Sequence, residues 1–221
     1  MLLTCSVVTA QVQVSKEPMH KKVLENKFIR LMNVWLQPGD TTMFHIHSTP
    51  SVFLHFSNAM MSTQLKGQDW VTDRTVPGYA WYRSFTPDSM VHRVSNGDTV
   101  SIHVIDVEIV SSYKPASQAR PLPFTVLFNE EKAIAYRLTN AAFNNEKISN
   151  RGPMVAELVA GEPAYYVDAT TNKSTQIKAG DYFYIEPGAS FYVRITGKEA
   201  TWSFLKLSNP NTLTSKTVKT S

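Results

Sequence analysis

Apolar positions along the chain come in short runs, with little sign of helical spacing. KFIRLMNVWL, SVFLHFSNAMM, TVSIHVIDVEIV, PAYYVDA, DYFYIEPG, SFYVRIT and ATWSFLKL are rich in β-branched and aromatic residues, and Gly, Pro, Asn and Asp turns separate them. Many short strands at such spacing predict an all-β sandwich or barrel. The segment NEEKAIAYRL is the nearest to a helical pattern, and it reads equally as a strand.

The segment from Lys114 to Pro123, KPASQARPLP, carries three prolines. Proline interrupts both strands and helices, so 114–123 reads as a linker. Its flanks resemble each other. KVLENKFIRLMNV before it and TVLFNEEKAIAYRL after it each open a strand, and PGYAWYRSFTP is answered by AGDYFYIEPGAS. The pattern is that of a diverged internal duplication, roughly a hundred residues per copy. One copy covers 18–113 and the other 124–207. The tail over 208–221, SNPNTLTSKTVKTS, is nearly free of large apolar residues and reads as a flexible end.

Hydrophobic residues make up 43% of the chain and charged residues 18%, against about 25% charged in an average globular protein. This suits a compact domain with much buried surface and excludes a disordered chain. A net charge of +4 on scattered Lys and Arg, with no aromatic-plus-basic ladder, gives no footprint for nucleic acid. No apolar run approaches the roughly 18 residues that span a bilayer, so no transmembrane segment is expected. At the N-terminus, Leu2 to Ala10 is short and apolar, and Val8-Thr9-Ala10 stands where a signal peptidase would cut, but a basic leader is missing. Residues 1–10 therefore read either as a truncated signal peptide of a periplasmic or secreted protein, or as an apolar strand of a cytoplasmic one. Cys5 is the only cysteine and lies in this segment, so a processed protein would have none, which fits export.

The stretch FHIHSTPS carries the chemistry. Residues two apart on a strand point to one face, so His45 and His47 offer two imidazoles together, and PDSMVHRVSN supplies a third in His92. The spacing Gly39, His45, His47, Ser51, Asn58 closely resembles the first motif of the cupin superfamily, which has Gly, two His, Glu and Gly at these offsets. Gly78 with Pro87, His92 and Asn96 resembles the second motif. With the duplication, the chain resembles a bicupin from Pro18 to Leu207. The resemblance implies two tandem antiparallel jelly-roll β-barrels, with a ligand pocket in the first and a divalent metal held by His45, His47 and His92.

The departures from the family pattern matter. The carboxylate position falls on Ser51, or on Val52 if the turn is one residue longer, so the metal's charge is left uncompensated. Asn58 replaces the closing Gly, and Asn tolerates left-handed backbone. Three neutral imidazoles still suit Fe, Zn, Ni or Cu and leave positions open; no organic cofactor is implied. In the second copy the motif positions counted back from Gly161 fall on Ile148, Asn150 and Met154, with Phe191 or Tyr192 in place of the third His. That copy therefore lacks ligands and is expected to pack against the first and shape its surroundings.

The remaining candidates each have two readings. His55 shares strand parity with His47 and Ser51, as a catalytic group or as a packed histidine. Phe53 and Ser51 face the expected pocket, and Ser51 either meets a metal-bound water or caps the turn after Pro50. Tyr79, Trp81, Tyr82 and Phe85 either fill the core or line the pocket mouth. Arg83 and Arg93 are either carboxylate binders or solvated charges. His103 is a strand residue near motif two, and His20, before two lysines, reads as surface. For function this leaves a metal-dependent enzyme on a small molecule, dioxygenase-like in preference to isomerase-like. The alternatives are a non-catalytic, exported small-molecule-binding bicupin and a pair of barrels serving homodimer assembly.

Overall fold

The computed structural model describes residues 11–114, 122–139, 146–149, 151–197 and 200–207 of the 221-residue chain. The expected leader over 1–10, most of the linker, Asn150 and the tail over 208–221 lie outside the described residues. In the first half the strands are β1 (Val12–Gln13), β2 (His20–Glu25), β3 (Ile29–Leu36), β4 (His45–His47), β5 (Ser51–His55), β6 (Met60–Leu65), β7 (Trp70–Arg74), β8 (Ala80–Arg83), β9 (Met90–Asn96) and β10 (Ile102–Ile109). The second half has β11 (Thr125–Asn129), β12 (Ala133–Leu138), β13 (Met154–Gly161), β14 (Ala164–Asp168), β15 (Ser174–Ile177), β16 (Tyr182–Ile185), β17 (Phe191–Ile195) and β18 (Ala200–Leu207). NEEKAIAYRL is thus a strand. Its parity explains why: Tyr136 and Leu138 enter the second barrel's core, while Ala133 joins the cluster facing the first.

Each half folds as two facing sheets. In the first half these run β1-β4-β9-β6-β7 and β2-β3-β10-β5-β8; in the second, β11-β12-β18-β13-β16 and β15-β14-β17. The orders β2-β3-β10-β5-β8 and β11-β12-β18-β13-β16 match strand for strand, as the duplication predicts. Every pairing is antiparallel except β1 with β4. These are two jelly-roll barrels in tandem.

The two matching sheets pack against each other through their outer faces. Ile29, Leu31, Val52, Leu54, Ile105 and Val107 of the first barrel share one buried cluster with Ala133, Val155, Leu205 and Leu207 of the second. Strands covered on both sides lose the usual in-out alternation, and β5 and β10 are buried along their whole length. Gly78 sits at this junction with a φ of +77°, a conformation that favours glycine, and a Cβ there would meet Arg137 Nη2 at 3.0 Å. Arg137 donates to the Gly78 carbonyl, tying the barrels together. Asn96 is buried and structural, donating to the carbonyls of Leu36 and Val100 and accepting from the Asp98 N–H. Asn58 does not need the left-handed tolerance expected of it, because among described non-glycine residues only Phe85 and Asn172 have positive φ.

Glu157 lies in the same junction. It pairs in register with Ser203 and Tyr182, and shares the strand face of Val155, which packs on the first barrel. Burial raises its pKa from 4.5 to about 8, against opposing pulls from Ser203 and Arg137. Between those two values the folded chain keeps a proton that the unfolded chain has released. Stability therefore falls as pH rises through this window, by up to about 1.4 kcal/mol per pH unit. Glu157→Gln is expected to remove this loss. Urea melts at pH 5, 6.5 and 8 should show the variant's advantage over wild type growing with pH, and a pH-independent difference would refute the assignment.

Candidate metal centre and cavity

His45 and His47 project from β4 into the first barrel, and β9 aligns His45 directly opposite His92. The ring centroids lie 5.1 Å apart for His45 and His47, 4.6 Å for His45 and His92, and 5.0 Å for His47 and His92. All three are buried. A fourth ring joins them. His20, expected at the surface, is buried, with its centroid 4.6 Å from that of His45. Ligand nitrogens of His20, His45 and His47 all lie within 4.8 Å of one another.

The N-terminal segment accounts for this correction. β1 pairs with β4 in one sheet, a 3-10 turn over Val14–Lys16 follows, and β2 then enters the opposite sheet. The chain so crosses the barrel edge beside His45 and covers it. At the crossing, the buried Glu17 carboxylate accepts from the backbone N–H of Met19 (2.8 Å) and of Met43 (3.1 Å) and meets His20 Nδ1 at 2.6 Å. Burial works against its charge, but the His20 hydrogen bond and charge, with the Met43 and Met19 N–H groups, hold its pKa below the ordinary value. The two lysines after His20 were the misleading signal. They sit on the part of β2 that runs out into solvent, where the strand also slips register between Lys22 and Leu24. The spacing Glu17-x-x-His20 was the one available clue, and it lies outside both motifs.

Buried polar atoms normally find partners, and here five imidazole nitrogens do not. His45 Nδ1 donates to the Met43 carbonyl at 2.8 Å, which leaves Nε2 as its lone-pair nitrogen. That Nε2, both nitrogens of His47 and both of His92 are buried without a hydrogen-bond partner. Burial pulls the pKa of His45 down to about 4, of His92 to about 3, and that of His47 lower still, so all three are neutral and able to act as ligands. Of these, the nitrogens of His45 and His47, together with those of His20, lie close enough to one another to fit a divalent metal. Two carboxylates stand behind the histidines although none follows the motif. Glu17 binds His20, and Asp106 on β10 lies 3.8 Å from His47 Nδ1. Burial, with Glu108 nearby, raises the Asp106 pKa well above the carboxylate range. Carboxylates behind ligating histidines fix their orientation and basicity, and Glu17, held in its charged form behind His20, is the one that would offset an ion's charge.

Beside the histidines lies a cavity of about 140 Å³ whose lining includes His20, His47, His92, Phe53, Trp81 and Asp106. Phe53 and Trp81 stack at 4.1 Å between centroids, and Phe85 stacks on His47 at 5.2 Å. His55 lines the cavity as well. Ser51 is buried on the same strand, and its hydroxyl donates to the Thr49 carbonyl at 2.9 Å, the turn-capping reading. Tyr79 is 55% exposed and lies outside the lining, while Tyr82 packs toward the second barrel. Arg83 is exposed, over the Phe85 face. Arg93 sits between Phe44 and Trp70 and donates to Gln64. His103 stacks between Trp35 and Phe56, away from the cavity.

In the second barrel Ile148 bridges Phe191, the counterpart of the His45–His92 pairing. Both are buried in a core that also holds Met154, Trp202 and Phe204. The positions that answer His45 and His92 thus carry the hydrocarbon side chains of Ile148 and Phe191.

No protein-family model and no curated protein matches the sequence. Solved structures do match its fold. A cupin 2 conserved barrel domain protein from Leptotrichia buccalis superposes with a TM-score of 0.55 at 8% identity, over 85% of this chain and 87% of that one. The chain thus has the fold of two cupin-type barrels in tandem. It also matches the salicylate 1,2-dioxygenase of Pseudaminobacter salicylatoxidans, with a TM-score of 0.59 at 10% identity over 81% of this chain and 71% of that one. The oxalate decarboxylase of Bacillus subtilis, described with Mn(II) centres, matches with a TM-score of 0.53 at 11% identity, over 83% of this chain and 70% of that one. Among the described residues no helix is long and apolar enough to cross a membrane.

The Glu17 bridge yields a stability prediction. Glu17→Ala strips the acceptor from two backbone N–H groups and His20 at once, and buried unpaired donors cost about 1–3 kcal/mol each. A loss of about 3 kcal/mol is expected in denaturant melts of the protein, and a loss under 1 kcal/mol would show that the bridge does not hold the segment.

Proposed function

We propose that this bicupin holds one divalent metal ion in the first barrel and acts on a small molecule in the adjoining cavity, in a dioxygenase-like rather than isomerase-like manner. The observation that carries the reading is the cluster of five buried, unpartnered imidazole nitrogens. With the rings neutral, three of the five nitrogens carry a lone pair, and buried lone pairs at such density are unfavourable unless a cation takes them. His45 and His47 are common to both three-histidine sets, completed by His20 on one side and by His92 on the other. Bound there, an ion of the nitrogen-preferring series Fe, Zn, Ni or Cu supplies Lewis acidity and open positions for a ligand. The chain's own part is orientation: Glu17 holds His20 through Nδ1, and the Met43 carbonyl holds His45 through Nδ1.

A second reading, binding without turnover, is favoured by a different observation. Asp106, the only carboxylate among the described lining residues, stands 3.8 Å from His47 Nδ1, and the lone pair of His55 is taken by Trp81, so neither is free to act as a general base.

Metal analysis of protein purified without chelators tests the first reading. Wild type is expected to carry near-stoichiometric divalent metal and His47→Ala less than about a tenth of it, a drop that needs only ~1.4 kcal/mol of lost binding under limiting metal. Comparing His20→Ala with His92→Ala then shows which histidine completes the set. Equal trace metal in wild type and His47→Ala would end the proposal, and oxygen uptake by metal-loaded protein with small chelating substrates separates turnover from binding alone.

A further inference from the structure

The cavity holds a second polar group that metal binding leaves unused. His55 lies one residue pair along β5 beyond Phe53, roughly 6.6 Å further from the layer where His47, Phe53 and Asp106 meet. Trp81 Nε1 lies 3.3 Å from His55 Nε2. An indole nitrogen only donates, so Nε2 is the acceptor, and the neutral ring carries its proton on Nδ1. Burial keeps the ring neutral, with a pKa lowered to about 4. Nδ1 is buried and has no hydrogen-bond partner. The ring's only lone pair is already engaged, so His55 offers the cavity a hydrogen-bond donor and not a base.

The surroundings of that donor carry no positive charge. Phe53, Trp81, Leu36, Ile102 and Val104 line this part of the cavity, and no lysine or arginine is among the described lining residues. Arg83 stands at the other level, its Nη1 3.5 Å from Met90 Sδ and its guanidinium over Phe85, and its charge acts on His47 and His92 rather than on His55. In the metal-free protein a carboxylate brought to His55 would lose its water without gaining a cation. The cavity volume of about 140 Å³ is close to that of a dry protein cavity of ~150 Å³ that accepts benzene.

We propose that the cavity binds an uncharged molecule of about six to eight non-hydrogen atoms, its apolar body against Phe53 and Trp81 and its carbonyl oxygen accepting from His55 Nδ1–H. The inference rests on the reading of this cavity as a ligand site and names the class of molecule it takes. It sets this chain apart from any protein that grips a carboxylate at the corresponding depth.

Calorimetric titration of full-length, chelator-stripped protein tests it with three probes of seven non-hydrogen atoms each: cyclohexanone, methylenecyclohexane, which has the same shape without an acceptor, and cyclobutanecarboxylate. Wild type is expected to bind the ketone about tenfold more tightly than the alkene and to show no measurable heat with the carboxylate. In His55→Phe, which keeps a ring of similar size, the ketone's advantage should vanish. Because the probes are compared on wild type alone, the result stands even if the variant fails to fold. Equal affinity for ketone and alkene, or carboxylate binding as tight as ketone, would overturn the proposal. The measurement uses no metal. A ketone preference in a protein that never takes up metal would leave this proposal standing and remove the metal reading, and the reverse pattern would do the opposite.

Discussion

The face-to-face packing of the two inner sheets is the constraint on which the rest of the structure depends. β3, β5 and β10 are covered by their own barrel on one side and by the other barrel on the second, through Val52, Leu54, Ile105 and Val107 against Val155 and Leu205. Apolar burial of this kind contributes roughly 25 cal/mol per Å² removed from water, and close packing leaves little room for adjustment. The strands that carry Phe53, His55 and Asp106 are therefore fixed from behind. The cavity in front of them can afford polar atoms without partners because its walls do not depend on it for cohesion.

That cavity divides its polarity by depth. At one level four imidazoles and two carboxylates from β2, β4, β9, β10 and the N-terminal crossing converge. One step along the strand a single imidazole, oriented by Trp81, stands in hydrocarbon. The first arrangement suits a cation, and the second suits the neutral end of whatever lies beside it. Both follow from the same rule, that a buried polar atom unmatched inside the protein is matched by something else.

The fold was largely legible in the chain, because strand parity and turn residues are local signals. PGYAWYRSFTP and AGDYFYIEPGAS, alike in the chain, hold β8 and β16, which stand at equivalent sheet edges. His45, His47 and His92 were legible as a group because the two motifs place them on adjacent strands. His20 was not, because its burial depends on a crossing of the barrel edge by residues 12–20 that no periodicity announces, and Lys21 and Lys22 beside it belong to a stretch of strand in solvent. Asp106 was hidden for another reason: within SIHVIDVEIV both faces of β10 are buried, so parity could not say which residues look inward. The partnership of Trp81 with His55 is a contact across strands β5 and β8, and only the paired register brings it about.

The divergence of the two barrels explains why one retained a cavity. Ile148 and Phe191 fill in the second barrel the places that His45 and His92 hold in the first, and Trp202 and Phe204 occupy the space between the sheets. A close-packed apolar core of this kind stabilises a barrel, and a hollow one with unpartnered nitrogens destabilises it. Joined through their inner sheets, the two share the consequences: the solid barrel braces the wall of the hollow one. Selection on the first barrel could then keep its histidines and its empty volume, since the stability they forgo is recovered at the junction. A single barrel with the same cavity would lose the cover over Val52, Leu54, Ile105 and Val107, and the strands that aim Phe53, His55 and Asp106 would face water on their other side.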